Sequence, residues 1–129
     1  MAARCIKSYR DLTVWEAGMD LVAECYAVSR ELPRTELYGL TSQIQRAAVS
    51  VPANIAEGYG RRHIGDYVRH LLIANGSLKE LETEVLIATR LRYLSASRAK
   101  PILDAAEELG RMLAALIRAL NRRRLPPKT

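Results

Sequence analysis

Between Tyr67 and Ala88 the residues Tyr67, Leu71, Ala74, Leu78, Leu81, Val85 and Ala88 recur at alternating steps of four and three. That spacing gives an α-helix one continuous apolar seam, and it is incompatible with the period of two that a strand requires. A helix of this length buries its seam only against other helices, so the rest of the chain must supply them. Val14, Gly18, Leu21, Cys25, Val28 and Leu32 keep the same steps, as do Ile102, Ala106, Leu109, Leu113, Leu116 and Leu120. Leu37, Leu40, Ile44, Ala47, Ala48, Val51, Ile55 and Gly58 share one side of a fourth helix at 100° per residue.

Local punctuation places the ends. Thr13 and Glu16 have capping-box spacing, and Pro33 closes the first helix, which gives a span of about 13–32. Thr35 is the expected cap of a helix over about 36–57, with Pro52 bending it and leaving the Ala48 carbonyl without its usual donor. Gly58 and Gly60 are expected to close that helix in left-handed or otherwise unusual backbone. Asp66 opens a third helix over about 66–94. Its Asn75, Gly76 and Ser77 are poor helix formers, explained either by close approach of a neighbouring backbone or by tolerated local weakness. Ser95 or Ser97 caps a fourth helix over about 97–121, with Pro101 in its first turn. Four such helices on short connections bury their faces as an all-α, antiparallel up-down-up-down four-helix bundle over residues 1–121, followed by a basic flexible tail, 122–129.

Composition fits one domain: 129 residues, 49% hydrophobic, no Phe. Cys5 and Cys25 have no CxxC spacing and read as plain thiols in a reducing compartment. With no signal-type h-region and no membrane-length apolar run, the expectation is a soluble, cytoplasmic protein without a membrane partner. Twenty Lys and Arg against fourteen Asp and Glu give +6, which favours polyanionic partners.

The second helix carries another stripe beside its apolar one: Gln43, Arg46, Ser50, Asn54, Glu57 and Arg61 share an arc of about 80°. Its neutral members both donate and accept hydrogen bonds, which suits an interface or a structural role as well as a wet face. Asn54 and Glu57 in particular are expected to do structural work beside Pro52. A second apolar series on the first helix, Trp15, Met19, Val22 and Tyr26, makes its face wider than one seam requires, the pattern of a chain that associates. At the other end, Arg111, Arg118 and Arg122 share a face of the fourth helix, and Arg123, Arg124 and Lys128 continue the charge. These six are the candidate nucleic-acid contacts.

Chemistry has no constellation. His63 and His70 lack the Glu-x-x-His pattern of di-iron bundles, so no metal or other cofactor is expected. Glu80, Glu82 and Glu84 lie among cations and read as a solvated charged face. Gly58-Tyr59-Gly60-Arg61 follows a helix, where phosphate loops precede one, and lacks their GK[ST] ending. No nucleophile stands at a recognisable spacing from a His, and the expectation is a protein that is not an enzyme.

Tyr38-Gly39-Leu40, Gln43, Arg46-Ala47-Ala48, Ser50-Val51-Pro52, Asn54-Ile55-Ala56-Glu57-Gly58 and Gly60-Arg61 together resemble the signature of the bacterial four-helix-bundle proteins first noticed in intervening sequences of 23S rRNA genes. Leu12-Thr13-Val14-Trp15 and Ala74-Asn75-Gly76-Ser77-Leu78 with Glu80-Leu81 extend the resemblance over roughly residues 9–120. The resemblance implies a ring-like homopentamer and a distant similarity to the basic, nucleic-acid-binding accessory protein of diversity-generating retroelements. Asp66-Tyr67 stands where an acid and Phe are common in that family, and the Arg122-Arg123-Arg124 run lies outside its pattern. The resulting expectation is a non-catalytic oligomeric accessory protein that binds RNA or DNA backbone. The alternative is a scaffold for a protein partner with no nucleic-acid role.

Overall fold

The computed structural model describes residues 5–124, and the helices form where the apolar seams run. Helix α1 spans Thr13–Ser29, α2 Leu40–Tyr59, α3 Ile64–Arg90 and α4 Ala96–Arg124, with short 3-10 turns at Tyr9–Asp11 and Arg34–Glu36. Each helix packs on two others, α1 on α2, α2 on α3, α3 on α4 and α4 back on α1, so the bundle closes without diagonal contacts. Residue pairs across each seam run in opposite senses. Gly18 of α1 meets Pro52 of α2, while Tyr26, further along α1, faces Gln45 and Val49, earlier in α2. Asn54 and Ser50 of α2 meet His70 and Ser77 of α3. Gly65 and Leu78 of α3 lie against Arg124 and Gly110 of α4, and Glu31 beyond α1 pairs with Arg98 at the start of α4. The arrangement is therefore up-down-up-down.

The expected seams make the core. Leu21, Ile44, Ile55, Leu71, Leu78, Leu81, Ile102, Leu109 and Leu113 are fully buried, each worth about 1.5–3 kcal/mol of transfer free energy. Leu37 is the exception on α2, 53% exposed because the helix begins three residues after it.

Most differences from the expected boundaries lie at caps. Thr13 makes no capping box; α1 follows Leu12, and the box belongs to the preceding 3-10 turn, where Ser8 Oγ accepts from Arg10 N–H and the Asp11 carboxylate accepts from Ser8 N–H. Helix α1 ends at Ser29, short of Pro33, where the Ser29 hydroxyl donates to the Cys25 carbonyl at 2.6 Å. Thr35 does not cap α2. It lies in the 3-10 turn, and Glu36 Oε1 accepts instead from Leu40 N–H at 3.0 Å, so α2 starts four residues later than expected. Ser95 does cap α4, accepting from Arg98 N–H, and Pro101 falls in the second turn. Helix α3 begins two residues before Asp66 and stops at Arg90, with Arg92 at φ 64° where the carbonyls of Ala88 and Thr89 take the N–H groups of Tyr93 and Arg92. That pattern ordinarily favours glycine.

Proline and glycine decide how closely helices approach. Helix α2 continues through Pro52, and the ring sits against Gly18, where a Cβ would come within 3.3 Å of Pro52 Cβ. Gly58 and Gly60 do not take left-handed backbone; no glycine among the described residues has positive φ. At Gly58 the reason is contact, since a Cβ there would meet His70 Cβ at 2.8 Å and the Tyr67 ring at 3.0 Å. A Cβ at Gly76 would meet nothing within 4 Å, so tolerated weakness explains it and close approach does not.

Candidate nucleic-acid interface and the polar seam between α2 and α3

The stripe on α2 is divided between interior and surface. Ser50 Oγ hydrogen-bonds Ser77 Oγ of α3 at 2.8 Å, and Asn54 Nδ2 donates to the Ser50 carbonyl at 2.9 Å and to Ser50 Oγ at 3.0 Å. Asn54 Oδ1 is left to accept from His70 Nδ1 at 3.1 Å, which puts the imidazole proton on Nδ1. His70 is buried, and its Nε2 has no hydrogen-bond partner. Glu57 reaches both ways, with Oε1 2.7 Å from Arg61 and Oε2 3.8 Å from His70 Nδ1. Asn54 therefore joins two helices, and its amide N–H goes to Ser50 rather than to the Ala48 carbonyl. Gln43 and Arg46 are exposed and line a groove of about 530 Å³ with Ala47, Ser50, Ser77 and Glu80.

Sequence reasoning missed the α3 side of this seam. His70, Ser77, Glu80 and Glu84 recur at steps of seven, three and four, the same signal that revealed the apolar seams. Glu84 also corrects the reading of 80–84 as solvated: it is 5% exposed, and its Oε1 has no hydrogen-bond partner. Burial first, then the hydrogen bond and charge of Glu80, pushes the Glu84 carboxyl up to about 7.

The other predicted set gathers at one end of the bundle. Helix α4 runs through Arg122, Arg123 and Arg124, which are helical and exposed and not part of a tail; arginine is a good helix former and suits the negative end of the dipole. Lys128 and the rest of 125–129 lie outside the described residues. Arg118, Arg122 and Arg123 are exposed, while Arg124 folds back so that its guanidinium lies 3.3 Å from a Cβ built at Gly65. Because α4 ends where α3 begins, Arg62, His63 and Arg69, all exposed, join the same end. Arg111 does not serve as a bare cation: Glu107 at 3.0 Å and Glu108 on its own helix hold it.

Among the described residues, no group of three His, Cys, Asp or Glu is placed to hold a metal and no helix is long and apolar enough to cross a membrane. The family model described as 23S rRNA-intervening sequence protein matches residues 10–115. The chain belongs to that family. A 23S rRNA-intervening sequence protein thus has its Ser50–Asn54–His70 seam inside the matched region and Arg118, Arg122 and Arg123 beyond it. A crystal structure from Bacteroides thetaiotaomicron, of a protein with unknown function from the S23 ribosomal protein family, is similar at a TM-score of 0.76. It is 21% identical over 81% of this chain and 98% of that one, a likeness of fold. No curated protein matches the chain.

Proposed function

We propose that this protein is a non-catalytic, homo-oligomeric accessory protein that binds RNA or DNA through the phosphate backbone. The observation that carries the reading is the basic end of the bundle, where Arg118, Arg122 and Arg123 of α4 stand with Arg62, His63 and Arg69. Arginines offer forked donors to phosphate oxygens without reading base edges, so sequence preference is weak. Repetition strengthens the effect: in a ring of five, five times +6 gives +30, and a single polyanion meets several basic ends at once. Exposed apolar residues on α1, α2 and α3 support association, whereas none of the large exposed apolar residues among those described lies on α4. Of the neutral stripe residues behind the scaffold alternative, Ser50 and Asn54 are hydrogen-bonded inside the subunit, while Gln43 is exposed.

Fluorescence anisotropy with labelled single-stranded RNA and duplex DNA tests the reading. Binding is expected at micromolar protein in 50 mM salt, with a log-log salt slope of about −0.7 per phosphate on single strands and about −0.9 on duplex. Arg118, Arg122 and Arg123 changed together to Ala should weaken binding across sequences and flatten the slope at unchanged helicity. No anisotropy change with wild type, or an unaltered slope in the triple variant, overturns the assignment.

A further inference from the structure

We infer that the other end of the bundle, made by the α1–α2 and α3–α4 connections, is a second contact for single-stranded nucleic acid, with Tyr38 as the platform for a base and the arginines around it for the flanking phosphates. The inference rests on the nucleic-acid reading above and adds a site and a strand type to it. Tyr38 is 93% exposed and its ring has no partner, whereas Tyr9, Tyr59, Tyr67 and Tyr93 each have a ring contact or a hydrogen bond. A ring so placed buries almost nothing within the subunit. It is free to stack on a base, and because every base offers a π-face the contact tolerates any sequence.

The free charge around Tyr38 is of one sign. Arg30 and Arg34 line a hollow of about 260 Å³ with Pro33 and Leu37, the residue before Tyr38. The Tyr93 hydroxyl donates to Glu36 Oε2 at 3.2 Å, which brings the α3–α4 connection, with Arg90 and Arg92 at its start, against the turn that precedes Tyr38. These four arginines are exposed, and among the described residues their side chains make no ion pair or hydrogen bond. Both acids of the two connections are occupied: Glu31 holds Arg98, and Glu36 also accepts from Leu40 N–H. Unpaired cations around an exposed aromatic ring suit a single strand, whose phosphates and unstacked bases use both, whereas a second copy at +6 is repelled by them. Arg92 is an independent sign. Its left-handed backbone favours glycine, so an arginine there carries a cost that its exposed side chain does not recover within the subunit. Helix α3, with 27 residues, separates this end from Arg118, Arg122 and Arg123 by about 40 Å, several Debye lengths at about 0.1 M salt, so the two ends bind separately.

Fluorescence anisotropy with labelled oligouridylate and with duplex DNA, on wild type, Tyr38→Ala, Tyr38→Phe and Arg92→Gly, tests the site, with circular dichroism as the check on folding. Tyr38→Ala should weaken oligouridylate binding about tenfold and leave duplex binding within about twofold, because duplex bases are already stacked. Tyr38→Phe keeps the ring and should bind as wild type does. Arg92→Gly should flatten the salt slope on oligouridylate by about 0.7 while its melting temperature stays the same or rises, a pairing that a merely structural arginine would not give. If wild type binds and Tyr38→Ala and Arg92→Gly bind oligouridylate as tightly and with the same slope, this end is no contact and the Arg118, Arg122 and Arg123 end stands alone. Equal weakening of both nucleic acids by Tyr38→Ala overturns the stacking. If wild type binds neither, both readings fall.

Discussion

Asn54 makes a side-chain bridge in which a single amide serves two helices, and its replacement reads out the seam directly. Asn54→Ala leaves His70 Nδ1 without its acceptor in a buried site and should cost about 1–3 kcal/mol in urea denaturation. Asn54→Asp should be no better, since a carboxylate has no N–H for Ser50. Values within about 0.5 kcal/mol of wild type for both variants would make the bridge energetically idle. The two cysteines separate just as sharply. Cys5 is exposed, whereas burial first, and the nearby charge of Glu24 second, push the Cys25 thiol up to about 12. A raised thiol is protonated and unreactive below that pH, so iodoacetamide at pH 8 should label Cys5 and spare Cys25 until the chain is denatured, as read by mass spectrometry.

Helix packing turns on where a Cβ is forbidden. Gly58→Ala drives a methyl toward His70 and Tyr67, side chains already fixed in the α2–α3 seam, and should destabilise the fold by about 1–3 kcal/mol. Gly76→Ala meets open space in mid-helix and should stabilise it by about 0.5–1 kcal/mol. Thermal melts of the pair check both signs; two changes of the same sign would refute the contact reading. Element identity was legible because each helix has its own heptad-spaced seam. Element ends were not, because Ser8 with Asp11, Glu36 and Ser29 make bonds where Thr13, Thr35 and Pro33 were expected to act, and Arg92 closes α3 through its backbone angle.

At the scale of the molecule, the apolar series Trp15, Met19, Val22 and Tyr26 does not all enter the core. Trp15 and Val22 are half-buried, while Met19 and Tyr26 remain exposed, Tyr26 near Val49 of α2. An assembly that uses this surface should give a light-scattering mass that is a multiple of 14.4 kDa, and Met19→Glu with Tyr26→Glu should reduce it to one chain without loss of helicity. An unchanged mass in that variant would place the contact elsewhere. The basic end is also a property of the whole fold. Arg62, His63 and Arg69 are far in sequence from Arg118, Arg122 and Arg123, and antiparallel packing of α3 and α4 brings them together.

The sequence by itself determined that the chain is four helices, which faces they bury and that Pro52 lies within a continuous helix, because seam spacing depends only on the geometry of a single helix. It also singled out Asn54 as a candidate structural residue. The tertiary structure decided which partner each polar residue found: Ser77 for Ser50, His70 for Asn54, Glu80 for the buried Glu84. It decided as well that Arg111 is occupied by its own glutamates while Arg118, Arg122 and Arg123 stay exposed. Those outcomes depend on the rotation and register of one helix against the next. Side chains fix them only when all four helices pack together, so no single stretch of sequence contains them.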